Sequence, residues 1–383
     1  MKHLGLWLAL TATALSAHAA PHKPDADKTK RLIQAASKGD VVSIRRLIRA
    51  GADPNAVSKA GECALGAALE KHRFGTADVL RKLGADFSHN SGVVLETVSQ
   101  ADLPSLSYIL KRGVKPDSIA DLRGYSLLNY VTLLHLAEQA KFSPVELRAV
   151  QMLLEAGADP NKLNEQGVSA MQDAVENADL PLLKLLVRFG GDANKPASNS
   201  DTPLILIIGP RTYGELEDKD SLERHAVLLL LLEHGARVNA RDKRGVAPIH
   251  VAAAHDFVTA IGDLAAHGAD INARGFNGAT PLHVAMRYCS VGAARKLLEL
   301  GADASLRDSA GRSVLDYQHT QAFSPDWELN GQSEKDYTLT PEDLKLPRAQ
   351  IAWLIRKHLF PNEASIYPKA PVATSEQTDL GYN

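Results

Sequence analysis

The chain has few cysteines and few aromatic residues. Two of its 383 residues are cysteines, Cys63 and Cys289, and Phe, Tyr and Trp together make up 5%. A fold that depends on several disulfides is therefore excluded. The scarcity of aromatic side chains, beside abundant Ala and Leu, argues against one large core and favours small helices that stack closely.

A large net charge and the motifs of common enzymes are also missing. The formal net charge is −2, which provides no global field for nucleic acid or an anionic membrane. The sequence contains no H-E-x-x-H, G-x-G-x-x-G, G-x-x-x-x-G-K-[ST] or G-x-S-x-G motif. We therefore predict a protein that is not an enzyme, holds no cofactor and binds no nucleic acid.

The N-terminal hydrophobic run is too short to span a bilayer. It covers Leu4–Leu15, twelve residues, whereas a membrane-spanning helix needs about 20. It follows a weakly basic start and precedes an A-x-A site that ends at Ala19, the order of a secretory signal peptide. We expect residues 1–19 to be a signal peptide and 20–27 a linker, which predicts a periplasmic or secreted protein without stable membrane insertion.

One pattern occurs twice at an offset of 33 residues. Ala-Pro-Ile-His-Val-Ala-Ala at 247–253 corresponds to Thr-Pro-Leu-His-Val-Ala-Met at 280–286. A second landmark, Gly-Ala-Asp followed two residues later by Asn, recurs in complete or degenerate form at the ends of the units, where glycine suits the left-handed turn of a helix end. Its glycines have gaps of 33, 29, 44, 33, 45, 33 and 33 residues, and they are Gly51, Gly84, Gly113, Gly157, Gly190, Gly235, Gly268 and Gly301.

The period and the T-P-L-H-x-A and G-A-D-x-N motifs resemble the ankyrin repeat, and the chain is identified as an exported bacterial member of that family. The resemblance implies a β-turn finger and two short helices in each unit. We expect an all-α ankyrin-repeat solenoid of about eight or nine helix-turn-helix units, with β-hairpin finger loops, at 28–317. An irregular insertion at 318–347, a capping helix at 348–360 and a disordered tail at 361–383 are expected to follow.

Three stretches depart from the regular period. Residues 136–142 and 209–221 lengthen the connection between two helices, and residues 318–340 precede the predicted capping helix. Insertions of this type map to one face of a repeat array, which is often the binding face. A tolerated surface insertion explains them equally well, so their role stays open at this point.

The repeat spacing also bears on the cysteines and the histidines. Cys63 and Cys289 lie seven units apart, too far for a disulfide, and we expect both to be small buried residues. Equivalent histidines such as His250 and His283 are one repeat apart, roughly 10 Å by analogy with packed layers. Zinc ligands lie about 2.1 Å from the metal, so we predict no metal site.

The resemblance assigns a structural role to three residues. In ankyrin repeats the Thr and His of T-P-L-H form hydrogen bonds that connect a finger with neighbouring units, which implies this role for Thr280, His283 and His250. Several other units lack the histidine, and we expect them to be less rigid; the residues at the His position there are Gly66, Asn129, Gln172, Ile205 and Asp316.

A candidate binding surface lies on the fingers. Arginines repeat at an offset of 33 residues and are predicted to form a ladder across three adjacent fingers, at Arg241, Arg274 and Arg307. Arg and aromatic residues are enriched at interface hot spots, and the ladder is extended by Lys243, Arg244 and Phe276. A solvated face is the alternative, because Asp242 and Asp308 follow two of the arginines and neutralise them if they pair.

The sequence therefore predicts a monomeric scaffold that binds an unidentified partner protein non-covalently through its fingers and concave surface. Replacement of the three ladder arginines by Ser is expected to weaken capture of this partner without lowering thermal stability. An immunity or inhibitor protein that neutralises an envelope toxin or hydrolase is one alternative. A secreted effector that binds host proteins is another.

Overall fold

The computed structural model describes residues 25–119, 125–138, 141–196, 201–209, 218–319 and 347–359. All regular elements within these ranges are helices, and the predicted all-α fold class is confirmed. The described finger loops add two isolated β-bridges, Val57 with Cys63 and Arg307 with Ser313. The expected signal peptide and C-terminal tail lie outside the described residues. None of the helices in the described part is long and apolar enough to cross a bilayer.

The chain divides into two compact units, Met1–Asp192 and Ala193–Asn383. The described part of the first unit contains five successive pairs of helices and one 3-10 turn, Pro116–Ser118. The pairs are α1 (Ala26–Lys38) with α2 (Val41–Arg49), α3 (Ala64–Glu70) with α4 (Phe74–Lys82), α5 (Ser91–Ser99) with α6 (Leu103–Lys111), α7 (Leu127–Glu138) with α8 (Pro144–Glu155), and α9 (Ala170–Glu176) with α10 (Leu180–Arg188).

Polar side chains start the second helix of most pairs in the first unit. The carboxylates of Asp40, Asp102 and Asp179 accept the backbone N–H three residues later, at 3.0, 3.3 and 2.9 Å, respectively. Each carboxylate thereby satisfies an N–H group that has no partner within the first turn of its helix. Helix α8 begins instead at a capping box, in which Ser143 and Glu146 bond reciprocally.

The described part of the second unit contains three pairs of helices and a C-terminal helix. The C-terminal helix packs against the last second helix and against a 3-10 helix, Val314–His319, that takes the place of a further first helix. The elements are α11 (Pro203–Ile208) with α12 (Asp218–Glu233), α13 (Pro248–Ala254) with α14 (Val258–Ala266), α15 (Pro281–Tyr288) with α16 (Val291–Glu299), and α17 (Pro347–Leu359).

First helices of neighbouring repeats pack side by side within each unit, as α1 does on α3 and α13 does on α15. The T-P-L-H-x-A pattern places a large apolar residue and an Ala on the packed side of each helix. Leu65, Ile249 and Leu282 are accordingly at most 1% exposed. Burial of one such side chain contributes about 1.5–3 kcal/mol, so the repeated pattern supplies the core of each unit.

The landmark glycines lie at the ends of the second helices. All eight have positive φ, between 77° at Gly235 and 103° at Gly84. Only glycine adopts this left-handed region without a steric penalty. The predicted left-handed turn at these positions is confirmed.

The asparagine of G-A-D-x-N connects one repeat to the next, a role that the sequence interpretation missed. The Asn239 amide donates to the carbonyl of Gly268 at 2.9 Å, and its oxygen accepts the N–H of Asp270 at 2.9 Å. Because one side chain must both donate and accept, an amide suits this position and a carboxylate does not. The same pair of bonds is made within the respective units by Asn55, Asn161 and Asn194.

The structure corrects two expectations about where helices begin. Residues 218–221 form the first turn of α12 and not the end of a polar loop, while 210–217 lie outside the described residues. The sequence from Gly311 to Asp316 predicts the start of a further first helix, whereas the structure has a 3-10 helix that begins at Val314. In the first unit, α7 extends to Glu138 and so includes the first residues of the stretch 136–142.

Burial also differs from expectation at single positions. Cys63 is 2% exposed, whereas Cys289 ends α15 with a φ of 61° and is only half-buried. The helical spacing of α17 predicts that Leu354 and Leu359 pack inward, yet both are half-buried as well. The helix buries a neighbouring stripe of residues, namely Ile351, Ala352 and Ile355.

Candidate protein-binding surface

Three consecutive fingers of the second unit carry the predicted binding residues, and we call residues 241–247, 274–280 and 307–313 the finger surface. A backbone hydrogen bond closes each finger across its turn. These bonds run from the N–H of Asp242, Gly275 and Asp308 to the carbonyl four residues later, at 3.0, 2.8 and 3.0 Å. Because each turn is closed in this way, the backbone under the predicted residues has a fixed geometry.

The guanidinium groups of the arginine ladder bond to backbone carbonyl groups. Nη1 of Arg274 donates to the carbonyl of Arg307, in the next finger, at 2.8 Å and to that of Gly278, in its own finger, at 3.4 Å. Arg241 makes the equivalent pair of bonds one finger earlier. Arg307 donates to Gly311 of its own finger at 2.8 Å. The structure therefore places the three arginines on adjacent fingers, and the bonds from Arg241 and Arg274 connect each finger to the next.

The two finger carboxylates are buried and bond to their own fingers. Oδ1 of Asp242 accepts the N–H groups of Arg244 and Val246, each at 2.8 Å. Asp308 accepts the equivalent N–H groups of the last finger, both at 2.9 Å. An Asp with two such bonds organises a turn in the same way as a capping residue organises a helix end.

Both carboxylates also form ion pairs, although not with the ladder. Asp242 lies 3.0 Å from the guanidinium group of Arg244, and Asp308 lies 2.7 Å from that of Arg312. Burial alone raises the pKa of Asp308, but hydrogen bonds from Arg312 and Tyr317 outweigh it and hold this pKa well below its usual value. The solvated-face alternative requires these aspartates to pair with the ladder arginines, and they pair with other arginines instead.

Phe276 stands exposed at the tip of the middle finger. Its side chain is 55% exposed, and the following residue, Asn277, has a φ of 54°. The Asn277 carbonyl accepts the N–H of Ser309 at 2.9 Å, which ties this tip to the next finger. Lys243 and Arg244 lie exposed at the tip of the preceding finger. The finger surface thus presents one aromatic ring beside basic side chains.

The residues of the T-P-L-H motif lie directly beneath the fingers. Nδ1 of His283 accepts the N–H of Thr280 at 3.3 Å and lies 2.8 Å from its hydroxyl, so Nε2 carries the proton. Nε2 then donates to the carbonyl of Arg312 in the next finger at 3.3 Å. His250 has the same orientation, with Nε2 at 2.9 Å from the carbonyl of Ala273. Each imidazole therefore links a first helix to the following finger.

Burial lowers the pKa of both imidazoles, which favours the neutral form that these bonds need. The middle finger has Gly275 where the other two fingers have Asp, and so it lacks the buried carboxylate. A Cβ atom at Gly275 would lie 2.7 Å from Nε2 of His250, so glycine permits the close approach of this imidazole.

The units that depart from the motif retain part of this network. Asn129 replaces the histidine in the first unit, and its amide donates to the carbonyl of Val168, in the next finger, at 3.3 Å. At Gly66 no side chain is available to reach the next finger, and the Gly66 N–H bonds within its own repeat, to the Cys63 thiol at 3.3 Å. Substitution of the histidine thus weakens the link to a different extent in different repeats.

The side chains that the finger surface exposes are suited to non-covalent binding. Among the described residues, no group of three or more His, Cys, Asp or Glu is placed to hold a metal ion. Burial raises the pKa of the Cys63 thiol to about 11, which keeps this group protonated. The groups that the fingers expose are guanidinium, ammonium and phenyl groups, which bind other molecules by hydrogen bonds, charge and apolar contact.

Two models of ankyrin repeats match the chain, one for three copies at residues 221–308 and one for many copies at residues 133–187. The B-cell lymphoma 3 protein homolog of Mus musculus is 30% identical over 190 residues, which are 46% of this chain and 39% of that protein. The mitochondrial disaggregase of Bos taurus is 31% identical over 183 residues, 47% of this chain and 26% of that protein. The chain thus aligns with well under half of either relative.

The chain is also similar to a bacterial protein and to two solved structures. A putative ankyrin repeat-containing protein of Treponema pallidum is 28% identical over 95 residues, 24% of this chain and 28% of that protein. The ankyrin repeat domain of Bcl-3 has a TM-score of 0.49 at 25% identity, covering 59% of this chain and 93% of that one. The human ASB11 ankyrin repeat domain has a TM-score of 0.45 at 21% identity, covering 58% and 90%. The two family models, the sequence relatives and the hydrogen-bonded repeat geometry together support assignment of this chain to the ankyrin-repeat family.

Proposed function

We propose that the chain is an exported, non-catalytic scaffold that binds a partner protein through the finger surface. Ankyrin repeats are typical protein-interaction scaffolds, and residues 221–308, which match their model, include most of this surface. The observation that carries the proposal is the arginine ladder, in which exposed side chains are held in place by bonds to the backbone. The bonds that connect the fingers thus also fix the orientation in which these guanidinium groups meet a partner.

Fixed side chains lower the cost of binding. An interface that immobilises a flexible side chain loses about 0.5–1.5 kcal/mol for each one. The ladder arginines have already lost much of this freedom in the free protein, since Nη1 bonds to carbonyl groups of two fingers in Arg241 and Arg274. Phe276 supplies apolar area beside them. We therefore expect affinity to depend on several fingers and not on one pocket.

Export rests on the sequence of residues 1–19, and the scaffold is proposed to act in the periplasm or outside the cell. The test is fractionation of the producing cells together with N-terminal sequencing of the protein. We expect the protein in the periplasmic or extracellular fraction with Ala20 as its first residue. An intact Met1 in the cytosolic fraction would contradict export while leaving the binding proposal unaffected.

Affinity capture with a variant of the finger surface tests binding itself. The full chain and its Phe276→Ala variant are used to capture proteins from an envelope extract of the producing cell. We expect a captured protein whose recovery falls about tenfold with the variant, because removal of a central aromatic at an interface commonly costs over 1 kcal/mol.

The matched control is Val258→Ala, which removes an apolar side chain that is 38% exposed on second helix α14 of the same unit. This variant is expected to recover the partner as the unchanged protein does. Equal recovery by both variants, with unfolding midpoints unchanged, would overturn the finger surface as the binding site.

A further inference from the structure

The arginine ladder has hydrogen-bond donors that the fold does not use. We infer that these donors bind the carboxylates of an extended acidic segment of the partner, with one carboxylate on each successive finger. This inference rests on the proposed function and adds the chemical class of the partner. It follows from the sign of the exposed charge, the number of remaining donors and the spacing of the fingers.

The exposed charge of the finger surface has one sign. The three fingers contain six basic residues and two carboxylates, Asp242 and Asp308. Both carboxylates are withdrawn from solvent, with side chains 3% and 0% exposed, and each has a guanidinium partner. The exposed charged groups of the fingers are basic, and they are Arg241, Lys243, Arg244, Arg274 and Arg307.

The guanidinium groups of the ladder retain donors for a ligand. A guanidinium group has five N–H donors in a planar fork. In Arg241, Arg274 and Arg307 the bonds to carbonyl groups all come from Nη1. Within the described residues, Nε and Nη2 of these three side chains have no protein acceptor. These two nitrogens form the edge of the fork that accepts a carboxylate with two parallel bonds.

The spacing of the fingers selects an extended segment. Packed helices lie about 8–10 Å apart, and the fingers follow the spacing of the helices beneath them. A polyproline II helix has 3 residues per turn and rises about 3.1 Å per residue, so every third side chain lies on one face at intervals of about 9 Å. An acidic residue at every third position therefore matches one guanidinium group on each finger.

Protein carboxylates fit this surface better than a nucleic acid does. Tight binding of a phosphate backbone relies on about 6–10 basic contacts and on long-range attraction. The ladder supplies three aligned arginines on a chain whose formal net charge is −2. Because Phe276 would also stack on a base, a nucleic-acid probe belongs in the test.

Labelled peptides test the inference with the purified full chain. The probe is Glu-Pro-Pro-Glu-Pro-Pro-Glu-Pro-Pro, in which proline favours the polyproline II conformation. One comparison peptide has Gln in place of each Glu, and another has the same composition with the three glutamates contiguous. A thymidine 12-mer is the nucleic-acid probe. Fluorescence anisotropy gives each dissociation constant at low and at physiological salt.

We expect the periodic acidic peptide to bind about tenfold more tightly than the Gln peptide, since exposed ion pairs contribute up to about 1 kcal/mol each. It should also bind more tightly than the contiguous isomer, and the difference should shrink with added salt. Equal affinity for the Glu and Gln peptides, or tighter binding of the thymidine 12-mer than of the periodic peptide, would overturn the inference.

Two variants test whether the acidic peptide binds at the arginine ladder. Arg307→Gln removes a ladder position whose guanidinium bonds only within its own finger, so folding should be preserved. It is expected to weaken binding of the acidic peptide threefold or more. The control removes three exposed arginines of α2, as Arg45→Gln, Arg46→Gln and Arg49→Gln, and should leave the affinity unchanged. An equal loss with the control would show nonspecific charge attraction and contradict the inference.

The two proposals fail separately. If the peptides show no preference for periodic glutamates while Phe276→Ala still loses the captured partner, the acidic-segment inference is wrong and the binding function stands. If Phe276→Ala and Arg307→Gln both leave capture of the partner unchanged, the finger surface is not the site and both proposals are wrong.

Discussion

Arg274 and Arg307, 33 residues apart in the chain, are joined by a hydrogen bond of 2.8 Å from the guanidinium Nη1 of the first to the backbone carbonyl of the second. Arg241 is joined to Arg274 in the same manner. The side chains that we propose to contact a partner therefore also hold the fingers together. The expectation that replacing all three arginines leaves thermal stability unchanged conflicts with these bonds, and we replace it with a graded prediction.

Arg241→Gln and Arg274→Gln are each expected to lower the free energy of unfolding by about 1 kcal/mol, the usual contribution of a hydrogen bond. Arg307→Gln should cost less, because Arg307 bonds only to Gly311 of its own finger. Urea unfolding followed by circular dichroism measures the three values. A loss for Arg307→Gln as large as for the other two would show that the bonds between fingers are not the stabilising ones.

The landmark asparagines allow a similar comparison. Asn239 makes two bonds to the next repeat, and Asn272 makes one, from the N–H of Asp303 at 2.9 Å. Asn239→Ala is expected to lower the free energy of unfolding by about 2 kcal/mol and Asn272→Ala by about 1 kcal/mol. The reverse order in urea unfolding would contradict the role that we assign to these amides.

The buried histidines predict that the second unit loses stability in acid. Burial lowers the pKa of His250 and His283 in the folded protein, so the unfolded chain takes up their protons more readily. The stability from these residues is fully present above the unfolded pKa of about 6.5 and is lost as the pH falls below it. We expect the urea midpoint to fall between pH 7 and 5, and to fall less in a His250→Gln, His283→Gln variant. An equal pH dependence in both proteins would contradict this assignment.

Asp173 in the first unit predicts the opposite dependence on pH. Its carboxylate is 6% exposed and accepts the Thr132 hydroxyl at 2.5 Å. Burial raises the pKa of Asp173 to about 7, and the bond from Thr132 opposes this only in part. Stability from the protonated form is fully present below the unfolded pKa of about 3.9 and is lost as the pH rises to about 7.

Asp173→Asn removes this buried charge and is therefore expected to raise the urea midpoint at pH 8 and to change it little at pH 4. The matched control is Glu165→Gln in the same unit, whose side chain is exposed, and its midpoint should stay unchanged at both pH values. A lower midpoint for Asp173→Asn at pH 8 would show that the carboxylate is stabilising when ionised and would contradict the prediction.

The sequence predicts the positions of the helices better than it predicts the side-chain hydrogen bonds and ion pairs. The 33-residue period and the landmark glycines indicate where helices end, because a left-handed φ restricts the residue type at those positions. The same period aligns Arg241 with Arg274 but does not predict the acceptor of either guanidinium group. Each group donates to a backbone carbonyl of the next finger, and every residue has a backbone carbonyl, so the sequence does not identify the acceptor. The sequence also does not predict the ion-pair partner of Asp308. Arg307 and Arg312 are both near it in sequence, and only Arg312 pairs with it.

The role of Asn239 has a signal in the sequence. Asparagine stands four residues after five of the eight landmark glycines, and a residue that can both donate and accept at a repeat boundary suggests a bridge between backbones. The 3-10 helix at Val314–His319 has no comparable signal. Its sequence differs little from a helix start, and the packing of α17 against it depends on residues far along the chain.

Photo-crosslinking tests most directly whether the finger surface is the contact surface. The photoreactive residue p-benzoylphenylalanine is placed at Phe276 or, as the control, at Val258 of α14, and the producing cells are irradiated. We expect a covalent adduct with a partner protein from position 276, reduced when the same chain also carries Arg307→Gln, and no adduct from position 258. An adduct from position 258 alone, or none from position 276 in cells that contain the folded protein, would contradict the account.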